Sequence, residues 1–169
     1  MGDTNGSHEL SEFERRHRDL PHWEDPGATY VVRFSVWRGC GVFLDSAEIA
    51  PIVVAALRYQ HGRRYWLYDY TVMPEHVHVI IKPITRKGKA EHLWQILRDL
   101  KGWMARRIND ELRRSGSLWR DESWDRIIRD DVEYDQWSEY ILRNAQEAGL
   151  VEDPCDWPWW GRGVDGPAR

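Results

Sequence analysis

Apolar and polar positions begin to alternate at Thr29. Tyr30, Val32, Phe34 and Val36 share one face of a strand reaching residue 37, and Val31, Arg33, Ser35 and Trp37 form a more mixed opposite face. Gly39 and Gly41 then break the pattern. Asp45-Ser46-Ala47-Glu48 has the composition of a helix start, and Ile49, Val53, Ala56 and Leu57 keep helical spacing. Pro51 belongs in a first turn, which sets the start of that helix near Ala50. The aromatic and β-branched stretch Tyr65–Val72 predicts a second strand. Pro74-Glu75 is a tight link to a third strand over residues 76–82, ended by Pro83. Residues 90–112 predict the longest helix, with Leu93, Ile96, Leu97, Leu100, Met104 and Ile108 in one stripe and Arg98, Lys101 and Arg106 off it. Ser115-Gly116 stops it. A short fourth strand fits around Trp124–Ile128, and Asp130 with Glu133 opens a last helix that Gly149 closes.

The order β-α-β-β-α-β-α suits an antiparallel sheet with helices packed on one face, the α+β, ferredoxin-like (RRM-like) plan. The pattern divides the chain into a polar, aperiodic arm over residues 1–26, one domain over 27–152, and an irregular tail with Pro and Trp over 153–169. No internal repeat is visible.

Composition changes this picture little. An apolar share of 41% can build a core, and 169 residues suit one domain with tails. No long apolar run and no charged-then-apolar leader is present, so a cytoplasmic protein is expected. Two cysteines, Cys40 and Cys155, neither form a disulfide scaffold nor match a zinc spacing. Charge is more informative in its distribution than in its net value of −4. Residues 86–114 carry nine Lys/Arg against four Asp/Glu, and from Ser115 onward thirteen acids face six arginines. A basic strip on an acidic body can follow a phosphate backbone, although a solvated helix face has the same composition. Eleven tryptophans are many for this size. Most are expected in the core, and some could stack unpaired bases.

The chemistry-bearing positions lie in the third strand and the last helix. His76 and His78 are two apart, so both imidazoles leave one face of the strand while Val77, Val79 and Ile81 line the other. Two neutral imidazoles side by side form a bidentate half-site for a divalent ion, although two half-buried strand histidines would look the same. Tyr140 and Asn144 are four apart on one helical stripe with Trp137 and Ile141, which points them toward the sheet. A sheet-facing phenol and carboxamide need polar partners, and a histidine-held ion would be one. Tyrosine, with an ordinary pKa of about 10, needs an activator to act as a nucleophile at neutral pH. Tyr134 is the rival tyrosine, roughly 120° around the helix from Tyr140.

The stretch Met73–Pro83, MPEHVHVIIKP, resembles the HUH strand of the single-tyrosine transposases, in particular the REP-associated tyrosine transposases. Further pieces fit that group in order: PHWEDPGATYVVRF from Pro21, the helix around Leu100-Lys101, LWRDESWDRIIRD from Leu118, and YILRNAQEAGLV from Tyr140. The resemblance covers roughly residues 21–160. It implies a transposase of the HUH endonuclease type that cleaves and rejoins single-stranded or hairpin DNA through a 5′-phosphotyrosine link. His76 and His78 match the metal pair, Tyr140 the nucleophile, and Asn144 the position that completes the metal site, for Mg²⁺ or Mn²⁺. The implied partner is DNA, including palindromic repeats. One departure is visible. The family commonly reads Asn-Pro where this chain has Asn144-Ala145, and alanine should keep the helix regular. Gln146 and Glu147 are nearby alternatives for the third ligand.

Arg86, Lys87, Lys89, Arg98 and Lys101 are the candidate phosphate contacts. Two other readings share the fold. One is a domesticated module that binds single strands or hairpins without cutting them, and the other a metal-dependent phosphoesterase that uses water.

Overall fold

Five antiparallel strands form the sheet that organises the molecule. The structure is a computed structural model, and it describes Asp25 and residues 27–163. The strands are β1 (Thr29–Ser35), β2 (Tyr65–Val72), β3 (His76–Pro83), β6 (Trp124–Ile128) and β7 (Trp160–Arg162), and they lie across the sheet in the order β6-β1-β3-β2-β7. A separate hairpin pairs β4 (Thr85–Arg86) with β5 (Lys89–Ala90). The helices are α1 (Ala50–Gln60), α2 (Leu93–Glu111) and α3 (Asp131–Glu147). The arm expected over 1–26 lies, Asp25 apart, outside the described residues.

The α+β, ferredoxin-like sheet stands as the sequence predicts it, and its helices divide between the two faces. Tyr30, Val32 and Phe34 of β1 and Val77, Val79 and Ile81 of β3 meet Val53 and Leu57 of α1 and the Leu93–Ile108 stripe of α2 in one apolar core. The opposite face carries Val31, Tyr68 and Ile80, which pack against Tyr134, Trp137 and Ile141 of α3. The last helix therefore does not join the other two. The mixed second face of β1 is apolar enough at Val31 to bury a helix, and the alternation of the strand sends that residue away from α1 and α2.

Local signals set the ends of α3. The Asp130 side chain accepts a hydrogen bond from the Glu133 amide, and Glu133 Oε2 accepts one from the Arg129 amide. At the other end Gly149, at φ 71°, donates to Gln146 O while Leu150 donates to Ala145 O, the paired bonds of a left-handed stop. The helix runs unbroken through Ala145, which is fully buried, as expected for alanine in place of proline.

The stretch expected to be an irregular tail from residue 153 is ordered through Gly163. Trp157 donates its indole N–H to Val72 O at 3.1 Å, and Trp159 donates to Asp45 O at 2.9 Å. Trp160–Arg162 then adds β7 to the edge of β2. Gly161 is required there, because a Cβ would fall 2.5 Å from the Tyr70 hydroxyl. A three-residue strand anchored by indoles has no period for a sequence to show.

Candidate functional site

Position in β3 gives the two histidines their direction. The Pro74-Glu75 link closes with Met73 N–H donating to His76 O at 2.8 Å, so β3 begins at His76 with its side chain toward α3. His78 follows on the same face, with ring centroids 4.9 Å apart and planes 87° apart. Tyr140 on α3 meets His78 edge-on at 5.3 Å between centroids and is backed by Trp137 at 5.7 Å. Asn144, one turn further on and buried, lies against His76. The four residues predicted from sequence are thus one cluster between β3 and α3.

Burial decides the protonation of this cluster. It pulls the His76 imidazole down to about 3, with the Arg33 charge adding to the effect and the Asn144 side chain opposing it. His78, completely buried, is pushed well below the ordinary histidine range, first by burial and then by the charges of His76 and Arg33. Both rings are neutral at pH 7, the form in which an imidazole nitrogen can donate its lone pair.

The donor set fits a divalent cation. Nδ1 and Nε2 of His78 and Oδ1 of Asn144 are buried with no hydrogen-bond partner, an expensive arrangement for polar atoms. Among the described residues no third His, Cys, Asp or Glu joins the pair. The available donors are therefore two imidazoles and one carboxamide. The alternatives for a third ligand are placed elsewhere: Gln146 donates to Glu152 O at 2.7 Å, and Glu147 is exposed.

Arg33 is the residue that sequence reasoning passed over. It stands opposite His78 in the β1–β3 register and opposite Trp124 in the β1–β6 register. A row of same-face residues therefore crosses the sheet as Trp124, Arg33, His78, Thr71 and Trp160. The Arg33 charge acts on both imidazoles and adds to burial in holding them below the ordinary histidine range. A charged residue in mid-strand, on the face shared with the histidines once strands pair, was the available signal.

Tyr134 has a different place. Its hydroxyl donates to Asp69 Oδ2 at 2.5 Å in a buried network, where Arg162 Nε donates to Asp69 Oδ1 at 3.0 Å and Arg162 Nη2 to Ser138 Oγ at 3.2 Å. A register shift between Leu67 and Tyr70 inserts an extra residue there and turns Asp69 toward α3. The network fastens β7 and α3 to β2.

The predicted phosphate contacts do not surround the histidines. Arg86 and Lys87 are exposed on the β4–β5 hairpin beyond the far end of β3, and Lys89 is in its second strand. An eight-residue strand separates them from His76 by roughly 23 Å. Arg98 is exposed on α2, the other side of the sheet. Lys101 holds a loop: its Nζ donates to Arg120 O at 2.7 Å, Asp121 O at 3.1 Å and Ser123 Oγ at 3.2 Å. Those three bonds use all the donors of an ammonium group, so Lys101 serves the fold rather than a phosphate.

The class so defined is an antiparallel α+β sheet with an H-x-H strand facing a tyrosine-bearing helix. Among solved structures the chain is similar to a REP-associated tyrosine transposase bound to a REP hairpin, with a TM-score of 0.70 at 19% identity over 84% of this chain and 81% of that one. Its fold is that of this transposase. A candidate transposase from Deinococcus radiodurans R1 aligns more loosely, with a TM-score of 0.48 at 20% identity over 73% of this chain and 95% of that one. A bacterial tRNA(His) guanylyltransferase-like protein in complex with GTP reaches 0.50 at 12% identity, over 84% of this chain and 65% of that one. Comparison with protein-family models and with curated proteins gives no match. Among the described residues no helix is long and apolar enough to cross a membrane.

Proposed function

We propose that this chain is a single-tyrosine transposase of the HUH type, acting on single-stranded or hairpin DNA. The observation that carries the reading is the edge contact of Tyr140 with His78 in a cluster completed by His76 and Asn144. The likeness of the fold to a transposase that binds a REP hairpin supports DNA as the partner.

In this reading Tyr140 Oη attacks a backbone phosphorus. The Oη–P bond forms and the P–O3′ bond breaks, leaving a 5′-phosphotyrosine and a free 3′-hydroxyl. The proton lost by the phenol balances the one gained by the 3′ oxygen, and rejoining runs the same steps backward. His76, His78 and Asn144 would hold Mg²⁺ or Mn²⁺, which supplies Lewis-acid polarisation of the phosphate when bound. Trp137 and His78 fix the Tyr140 ring from two sides, so the nucleophile is oriented before substrate arrives. Arg33 offers positive charge to the phosphoryl oxygens.

Incubation with labelled hairpin DNA and Mn²⁺, followed by a denaturing gel, tests this. A covalent protein–DNA adduct is expected from the wild type, with a loss of at least about 1,000-fold in Tyr140→Phe, which has no nucleophilic oxygen. An undiminished adduct in Tyr140→Phe would show that another residue attacks. Turnover without an adduct would assign the attack to water, and tight hairpin binding without cleavage would leave a binding module.

A further inference from the structure

The strongest feature outside the histidine cluster lies at the other end of the sheet, on the side covered by α1 and α2. Tyr59 in the last turn of α1 is 64% exposed and Trp94 in the first turn of α2 is 51% exposed, and neither contributes to the core. Each ring carries an arginine. The Arg63 guanidinium lies 4.0 Å from the centre of the Tyr59 ring, and its Nη1 donates to Tyr59 O at 2.6 Å. The Arg98 guanidinium lies 5.1 Å from the centre of the Trp94 ring and is steadied by two bonds to Asp99 Oδ1 at 3.0 Å.

The two stacks belong to one surface. Asp99, bonded to Arg98 through one oxygen, accepts from Arg64 through the other at 2.9 Å, and Arg64 also bonds Glu91 at 3.0 Å. Arg86 of the hairpin donates to Arg63 O at 2.9 Å. Among the described residues that network joins Arg63, Arg64, Arg86 and Arg98 to two carboxylates, Glu91 and Asp99, and exposed Lys87 follows Arg86 on the hairpin, on a chain whose net charge is −4. Planar guanidinium and aromatic plates set among cations match the chemistry of an unpaired nucleic-acid strand. Its bases offer π-faces, and its phosphates follow the positive charge. A duplex, with its bases stacked on one another, cannot use the plates.

We propose that Tyr59 and Trp94, with the arginines stacked on them, form a second nucleic-acid surface that holds an unpaired stretch of strand away from Tyr140. This deepens the reading of the chain as a DNA-acting protein, and it does not depend on cleavage. Roughly 23 Å along β3, with the sheet between, separates the two regions, so one strand reaches both only if it passes around the sheet edge.

Fluorescence anisotropy in EDTA tests the proposal on the full chain, with an unstructured 15-nucleotide single strand and the duplex of the same sequence as probes. The double substitution Tyr59→Ala with Trp94→Ala is expected to weaken single-strand binding at least about 10-fold, given the usual worth of base–aromatic stacking, and to change duplex binding less than 2-fold. Tyr59→Phe with Trp94→Phe should retain most of the affinity, which keeps the test open if the alanine variant folds poorly. Arg63→Gln with Arg98→Gln should flatten the salt dependence of binding. Single-strand affinity within 2-fold of wild type in the alanine variant would overturn the proposal, as would an equal loss for duplex. A protein that forms no adduct, yet loses single-strand affinity through the two rings, would retain this surface and lose the cleavage reading.

Discussion

The two faces of the sheet are built from the same strands and differ in almost everything else. Toward α1 and α2 the strands present Tyr30, Val32, Phe34, Val77, Val79 and Ile81, a layer of apolar side chains that the helices close. Toward α3 the same strands present Arg33, His76 and His78, with Asp69 and Thr71 beside them, next to a smaller apolar patch of Val31, Tyr68 and Ile80. All the buried polar or charged side chains among the described residues, Asp69, Thr71, His78, Ser138 and Asn144, lie between the sheet and α3. A core made only of apolar groups gains stability from burial alone. The second face gives up some of that gain to desolvated polar groups, which are either netted together, as at Asp69, or left with unsatisfied atoms, as at His78 and Asn144. The difference separates a face closed by apolar packing from one that joins an apolar patch to desolvated polar groups.

The largest effect expected from breaking that division is on the apolar side. Ile81 is 1% exposed in the α1/α2 core, and Ile81→Ala should cost about 2–5 kcal/mol through lost burial and a cavity. Urea unfolding measures it. Adduct formation per folded molecule should stay near wild type. A tenfold drop there would mean that the two faces are not separable.

Next in size is an exposed residue on the polar side. The Arg162 side chain is 60% exposed, and such surface ion pairs ordinarily contribute little. Its partner Asp69, however, is 1% exposed. Arg162→Ala would leave a buried carboxylate without its cation, a loss of about 3 kcal/mol. Arg162→Lys should recover part of it. A cost under about 0.5 kcal/mol for Arg162→Ala would show that Tyr134 alone satisfies Asp69.

This contrast also explains what the sequence revealed. The apolar face was legible because alternation in Tyr30–Phe34 and the 3–4 spacing in Leu93–Ile108 report burial directly. Same-face spacing paired His76 with His78 and Tyr140 with Asn144, and the resemblance of the stretches from Met73 and from Tyr140 to the tyrosine transposases joined the two pairs into one candidate site. Arg33 and Asp69 were not, since their roles depend on which strands pair and on a local register shift at Leu67–Tyr70. The side on which α3 packs escaped for the same reason, because spacing within a helix names its buried face but not the sheet face it meets. Lys101 looked like a phosphate contact because its spacing put it off the apolar stripe. Only the folded loop over residues 120–123 shows the three oxygens that occupy it.

The effect most specific to the polar face is a pH dependence of stability. In the unfolded chain a histidine titrates near 6.5. In the folded chain His76 is held down to about 3 and His78 is also well below its ordinary range, in both cases chiefly by burial. The unfolded state therefore binds more protons once the pH drops below about 6.5, and linkage makes the folded state progressively less favoured as the pH falls toward 3. Carboxylates have ordinary values near 4, so the interval from pH 6.5 to 5 isolates imidazoles from them. In EDTA, urea midpoints should fall between pH 7 and pH 5 in the wild type and fall less in His76→Gln with His78→Gln. Ile81→Ala, which alters only the apolar face, should keep the wild-type slope from a lower starting point. An unchanged slope in the double histidine variant would place the acid sensitivity outside this cluster, and the polar face would then be desolvated far less than its geometry indicates.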